Sequence, residues 1–175
     1  MSQHRPPPES IGSPDVADAA ALGRVHLTAW LQTYPNREAG IDEAWIREHV
    51  GSVVTADGIA QWRTVIEAAQ RDPRNVFCRV VRSDGEIVGL ICGKRGDVTS
   101  LGPMYLLDQA QRQGIGSRLM SEFLAWAGNV PIRLWVTSYN ERAVNFYARH
   151  GFVLTDEREL WRGKLPNVRM FRGPE

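Results

Sequence analysis

The chain is expected to fold as an α/β protein, a mixed sheet with helices packed on it, and three observations predict this. Residues 16–71 hold three stretches whose apolar side chains recur at helical spacing. From Asn75 the texture changes to runs rich in Val, Ile and Phe on either side of Asp84-Gly85, a favoured tight-turn pair. Beyond residue 107 the pattern alternates helix, strand, helix and then two strands.

Size and composition bound the problem. The 175 residues suit one domain, expected over 10–175, behind a flexible proline-rich tail over 1–9 (Met1-Ser2-Gln3-His4-Arg5-Pro6-Pro7-Pro8-Glu9). Apolar residues make up 43% and charged residues 23%, as in ordinary globular proteins. A formal net charge of +1 offers no large electrostatic footprint, so nucleic acid is not an expected partner. No apolar run is long enough to span a bilayer, and the amino terminus lacks the apolar core of a secretory signal. With Asp84-Gly85 as a two-residue turn, Cys78 falls opposite Ile91 and Cys92 opposite Phe77, so the thiols would not face each other. A disulfide is therefore disfavoured, the spacing matches no metal site, and two reduced thiols suit a cytoplasmic location.

Taken in order, Ser10-Ile11-Gly12 is a thin signal for a first strand. Asp15 is placed to cap a helix over about 16–33, which Pro35 ends. Leu22, His26, Trp30 and Tyr34 recur every four residues and share one face of it, provided the helical register reaches Tyr34. A second helix over about 42–50 turns Trp45, Ile46 and Val50 inward. A third over about 58–71 carries Ile59, Trp62, Val65, Ile66 and Ala69 before Asp72-Pro73 breaks it. Strands follow over 75–82, 86–93 and about 98–107, the last distorted at Gly102-Pro103, because proline cannot donate to a ladder and strand glycine marks bulges. A helix over about 114–127, a strand over 131–137, a helix over 141–149 stopped by Gly151, and strands over 152–161 and 168–172 complete the chain.

The chemistry points to Gln111-Arg112-Gln113-Gly114-Ile115-Gly116-Ser117-Arg118-Leu119, where a strand turns into a helix. Glycines there let backbone approach a ligand, and the first helical turn offers unpaired N–H groups at the positive end of the dipole. Such a terminus is an anion site, most often for phosphate. A Walker loop is ruled out by the missing Gly-Lys-Ser/Thr, and the dinucleotide fingerprint fails because its third small position is Leu119. The Gln111-x-x-Gly114-x-Gly116 loop, an intervening strand and the Asn140-x-x-Ala143-x-x-Phe146-Tyr147-x-x-x-Gly151-Phe152 helix, in that order, resemble the GCN5-related N-acetyltransferase (GNAT) family. The resemblance covers about 75–172 well and the preceding helices more loosely.

This resemblance implies a mostly antiparallel central sheet splayed between the fourth and fifth strands, with acetyl-CoA as co-substrate in the gap and no metal. Met104, Tyr105 and Leu106 match the strand segment that pairs with the pantetheine arm, where an N–H would polarise the thioester carbonyl. Arg112, Gln113, Gly114, Ile115, Gly116 and Ser117 match the pyrophosphate loop. Asn140 matches a cofactor contact, although a plain N-cap explains it equally well. Tyr147 matches the family's general acid toward the departing thiolate, which a phenol of pKa near ~10 can serve at neutral pH.

On the acceptor side the family reaction is direct attack of an amine in a ternary complex. An alkylamine is only about a thousandth neutral at pH 7, equivalent to roughly 4 kcal/mol, so a general base is useful. Positions that carry a glutamate base in some relatives are Trp135, or Leu101 and Gly102, in this chain. His26, Asp97, Glu157, Glu159 and a water chain remain as candidates. His26, Trp30, Tyr34 and Trp135 are candidates for the acceptor wall, with the core stripe of an amphipathic helix as the plainer explanation of the first three. The expected activity is acetylation of a primary amine on a small molecule, with no nucleic-acid or membrane partner and a homodimer left open. The alternatives are a non-catalytic acyl-CoA-binding or sensing module, and an acetyltransferase for a protein N-terminus or aminoacyl-tRNA.

Overall fold

The computed structural model describes residues 9–175; the expected tail over 1–9 otherwise lies outside the described residues. Three helices on one face of a sheet come first. Asp15 caps a single 3-10 turn through a capping box, and α1 (Ala19–Thr33) runs on from it. Tyr34 is its C-cap in right-handed helical geometry, so the helical register does reach that residue. α2 (Glu43–Val50) is capped by Asp42 and α3 (Ala56–Arg71) by Thr55, two residues before the expected start.

Seven strands form one sheet: β1 (Ser10–Gly12), β2 (Val76–Ser83), β3 (Glu86–Lys94), β4 (Thr99–Leu106), β5 (Ile132–Thr137), β6 (Val153–Trp161) and β7 (Leu165–Arg172). Their spatial order is β1-β2-β3-β4-β5-β7-β6, and only β4 with β5 is parallel. β7 begins three residues earlier than the apolar pattern implied and takes in Pro166. α4 (Ile115–Ala127) and α5 (Glu141–Arg149) cover the opposite face from α1, α2 and α3. No helix among the described residues is long and apolar enough to cross a membrane.

The cysteine register needs correction. Asp84 and Gly85 both have positive φ (51° and 81°), and Ser83 pairs with Glu86, so the turn is the expected two-residue one. A bulge between Val81 and Arg82 then adds one residue to the β3 side. Cys78 therefore lies opposite Cys92, with the sulfurs 3.3 Å apart as buried free thiols. The same bulge shifts β3's side-chain phase. Ile87 and Leu90 face α1 and α3, whereas Val88 and Ile91 face α4.

The distortion expected in β4 is present. Ile91 pairs with Met104 but Gly93 with Leu101, so Gly102 and Pro103 together oppose Cys92. Downstream of that bulge β4 parts from β5, the two pairing only at Thr99–Ile132 and Ser100–Arg133. The gap between the strands opens from there.

Candidate active site

A cleft of about 610 Å³ follows that gap and runs under the ends of α4 and α5. One wall is β4. Leu107 donates its N–H to Val88 of β3 at 2.9 Å. By the two-residue period of a strand, the peptide groups of Leu106 and Met104 turn the other way, toward the gap. The Leu106 carbonyl accordingly accepts from Gln111 Nε2 at 2.6 Å, which ties the loop before α4 to the strand. Met104, Tyr105 and Leu106 all line the cleft.

The second wall is the start of α4. Gly114 is its N-cap at φ 76°, a left-handed conformation that glycine adopts without strain. Having no side chain, it cannot cap the helix as Asp42, Thr55 and Asn140 cap theirs. Arg118 supplies the first N–H that bonds back along the helix, to Gly114 at 3.1 Å. The amides of Ile115, Gly116 and Ser117 thus lack helical partners and carry the positive end of the dipole. Gly116 is also where α4 meets α5, since a Cβ there would stand 3.3 Å from the Phe146 ring. Arg112, Gly114, Gly116 and Ser117 line the cleft. Ile115 buries its side chain in the core, leaving only its backbone to the loop, and Gln113 turns its amide back to the Gln109 carbonyl at 3.2 Å.

The third wall is α5. Asn140 accepts from the Ala143 N–H at 3.2 Å as an N-cap and still lines the cleft. Tyr147, two turns further along, is buried between Phe146 and Phe152 and lines both this cleft and a second cavity beyond it. Burial, and then the neighbouring Tyr34, push its phenol far above the ordinary tyrosine range. Arg142 and Arg149 add cationic groups to the same wall. The sequence reading missed these two and Phe146, although 142, 146 and 149 share a helical face with spacings of four and three.

The second cavity, about 220 Å³, lies between β4, β5 and β7. Trp30, Tyr34, Trp135 and Trp161 contribute to it, together with Thr137 and Asn167. Trp30 donates from Nε1 to Tyr105 Oη at 2.9 Å, and its ring packs on Tyr34 (4.6 Å) and Trp161 (5.2 Å). Trp135 is 37% exposed, with the Arg169 guanidinium 4.2 Å above its ring. His26 stands apart: it stacks on Tyr105 at 4.9 Å and opens onto another cavity, beside Trp62 of α3. Of the candidate bases, Asp97 is exposed in the segment between β3 and β4, and Glu157 pairs with Arg169 at 2.6 Å. Glu159 accepts from Asn167 at 2.9 Å, just behind the second cavity.

Comparison with known proteins places this geometry. A family profile described as acetyltransferase (GNAT) family matches residues 27–152. An uncharacterised N-acetyltransferase of Mycobacterium tuberculosis is 34% identical over 120 residues, spanning 63% of this chain and 72% of that protein. Among solved structures, the PaiA N-acetyltransferase of Thermoplasma acidophilum in complex with coenzyme A superposes with a TM-score of 0.77 at 19% identity, covering 95% of this chain and 99% of that one. YncA of Salmonella typhimurium, solved with its cofactor acetyl-CoA, gives 0.68 at 20% identity, covering 95% and 94%.

Proposed function

The chain belongs to the acetyltransferase (GNAT) family, and we propose that it moves an acetyl group from acetyl-CoA to the primary amine of a small molecule, by direct attack in a ternary complex. The observation that carries this reading is the continuity of the two cavities: Tyr34, Met104, Tyr105, Asn140 and Tyr147 line both. A donor in the first and an acceptor in the second would meet at Tyr147. A small acceptor is favoured because the second cavity holds only about 220 Å³ and is walled largely by Trp30, Trp135 and Trp161.

Bound acetyl-CoA would supply the acetyl group as a thioester open to attack by an amine. The chain's own groups fit such a ligand. The free amides of Ile115, Gly116 and Ser117, with Arg112 beside them, suit a pyrophosphate. The outward-facing peptide groups of Met104 and Leu106 suit an amide-bearing arm laid along β4, and an N–H there can stabilise charge developing on the carbonyl oxygen. Tyr147 holds its proton across the working pH range because burial disfavours the phenolate. It can therefore act as a donor to the departing sulfur without first being recharged. The fit asks for no metal ligand.

The test is Tyr147→Phe in a thiol-release assay over a panel of primary amines. Loss of a general acid lowers kcat by roughly a hundredfold or more. The KM for acetyl-CoA should stay within threefold, since the ring packing is kept. Wild-type kcat in the variant across pH would reject the acid role. Coenzyme A binding by calorimetry with no thiol release from the wild-type protein on any amine would favour a sensing module instead.

A further inference from the structure

The acceptor cavity has a polar wall whose hydrogen bonds can run in one direction only. Glu159 carries a carboxylate, which accepts and cannot donate. Asn167 must therefore turn its Nδ2 to Glu159, as found at 2.9 Å, and its Oδ1 inward. Oδ1 cannot donate, so the Thr137 hydroxyl gives its hydrogen to it, at 3.0 Å. Thr137 then has only lone pairs left for the cavity that it lines. Thr137 and Asn167 are both buried, so the direction set at Glu159 is kept within the fold.

The remaining walls are uncharged. Trp30, Leu101, Pro103, Trp135, Trp161 and Leu165 supply apolar surface, and no Asp, Glu, Lys or Arg is among the described residues that line this cavity. Its volume of about 220 Å³ is below the roughly 300–1,000 Å³ of sites that take drug-sized ligands. Guanidinium groups already occupy a face of two of its tryptophans, Arg169 at 4.2 Å over Trp135 and Arg162 at 5.2 Å over Trp161. A ligand carboxylate would find no cation among these lining residues, and a second ligand cation would find no carboxylate.

Resting on the acetyl-transfer reading, we propose that this cavity is the acceptor subsite for a compact primary monoamine with an apolar body, held by N–H donation to the Thr137 oxygen, which the Glu159–Asn167 pair orients as an acceptor. Asn167 is a positioning residue in this scheme, and Thr137 supplies the receiving oxygen.

Matched amines and two variants test it, with thiol release as the readout. Phenethylamine should exceed phenylalanine, and hexylamine should exceed 1,6-diaminohexane, by at least tenfold in kcat/KM. The α-amine of an amino acid is the less basic, so its larger neutral fraction works against the expected order. Thr137→Val should raise the KM of the preferred amine at least tenfold while the KM for acetyl-CoA stays within twofold. Thr137→Ser should restore the amine KM to within threefold, which a role confined to packing would not explain. A preference for the carboxylated or dicationic member of either pair overturns the substrate class. An unchanged amine KM in Thr137→Val overturns the track. Thiol release with other amines of the panel but with none of these four overturns this inference alone, whereas no release with any amine removes the acetyl-transfer reading as well.

Discussion

His26 ties the stability of this fold to pH, and the size of the effect follows from its surroundings. The ring is stacked on Tyr105 and set edge-on to Trp62 at 5.8 Å, and its Nδ1 is buried without a hydrogen-bond partner. Burial pushes its pKa down to about 4. In the unfolded chain a histidine titrates near ~6.5. Between these values the unfolded state holds the proton and the folded state does not, so stability falls as pH falls through the window. Integrating over it gives a loss of about 2 kcal/mol at pH 5 and about 3 kcal/mol at pH 4, relative to pH 8. That is a large share of a typical ~5–15 kcal/mol. The perturbation is His26→Phe, which keeps an aromatic ring against Tyr105 and removes the titration. Urea unfolding at pH 8, 6.5 and 5 is the assay. Asp18 adds little in that range. Burial raises its carboxyl, but the hydrogen bond and charge of Arg82 outweigh this and leave it below the ordinary carboxylate value, so its contribution is lost only at lower pH. The wild-type protein should lose about 2 kcal/mol more than the variant between pH 8 and pH 5. Parallel pH dependence in the two proteins would refute the reasoning.

Two further predictions concern the loop and the thiols. Gly114→Ala places a Cβ where nothing lies within 4 Å, so its cost is the left-handed backbone alone, about 1–2 kcal/mol; calorimetry should find Tm lowered by roughly 2–8 °C, and an unchanged Tm would mean that the turn has another conformation. Cys78 and Cys92 should resist iodoacetamide at pH 8 in the native protein and react with two equivalents in urea, because the Cys78 contact, and then burial, hold the Cys92 thiol well above its usual range; rapid native labelling would show that the β2–β3 pair opens readily.

How much of this was legible in the sequence depends on whether a feature is local. The caps at Asp15 and Asn140, the turn at Asp84-Gly85 and the distortion at Gly102-Pro103 are all written within a few residues, and each falls where the sequence places it. The glycine loop was legible for the same reason: a helix that starts on glycine leaves its own amides free, whatever packs around it. The cysteine register was misjudged because a bulge at Val81/Arg82 has no sequence signature as strong as the turn that precedes it, and one added residue exchanges every later partner. His26, Trp30 and Tyr34 do share a helix face, yet they serve different surroundings. His26 meets Tyr105 and α3, whereas Trp30 and Tyr34 border the second cavity.

The sequence by itself determined the order of elements, the family and the glycine-capped helix start whose first amides stay free. These follow from hydrophobic period, caps and a loop-and-helix motif, all of which act over one or two turns of chain. Only the tertiary structure decided the second cavity. Trp30, Thr137, Trp161 and Asn167 come from α1, β5, β6 and β7 and converge across more than a hundred residues of chain. Periodicity tells which face of a strand is buried, but not what stands opposite it. For that reason the run of hydrogen bonds from Asn167 to Glu159 and from Thr137 to Asn167 emerged only once the strands had paired.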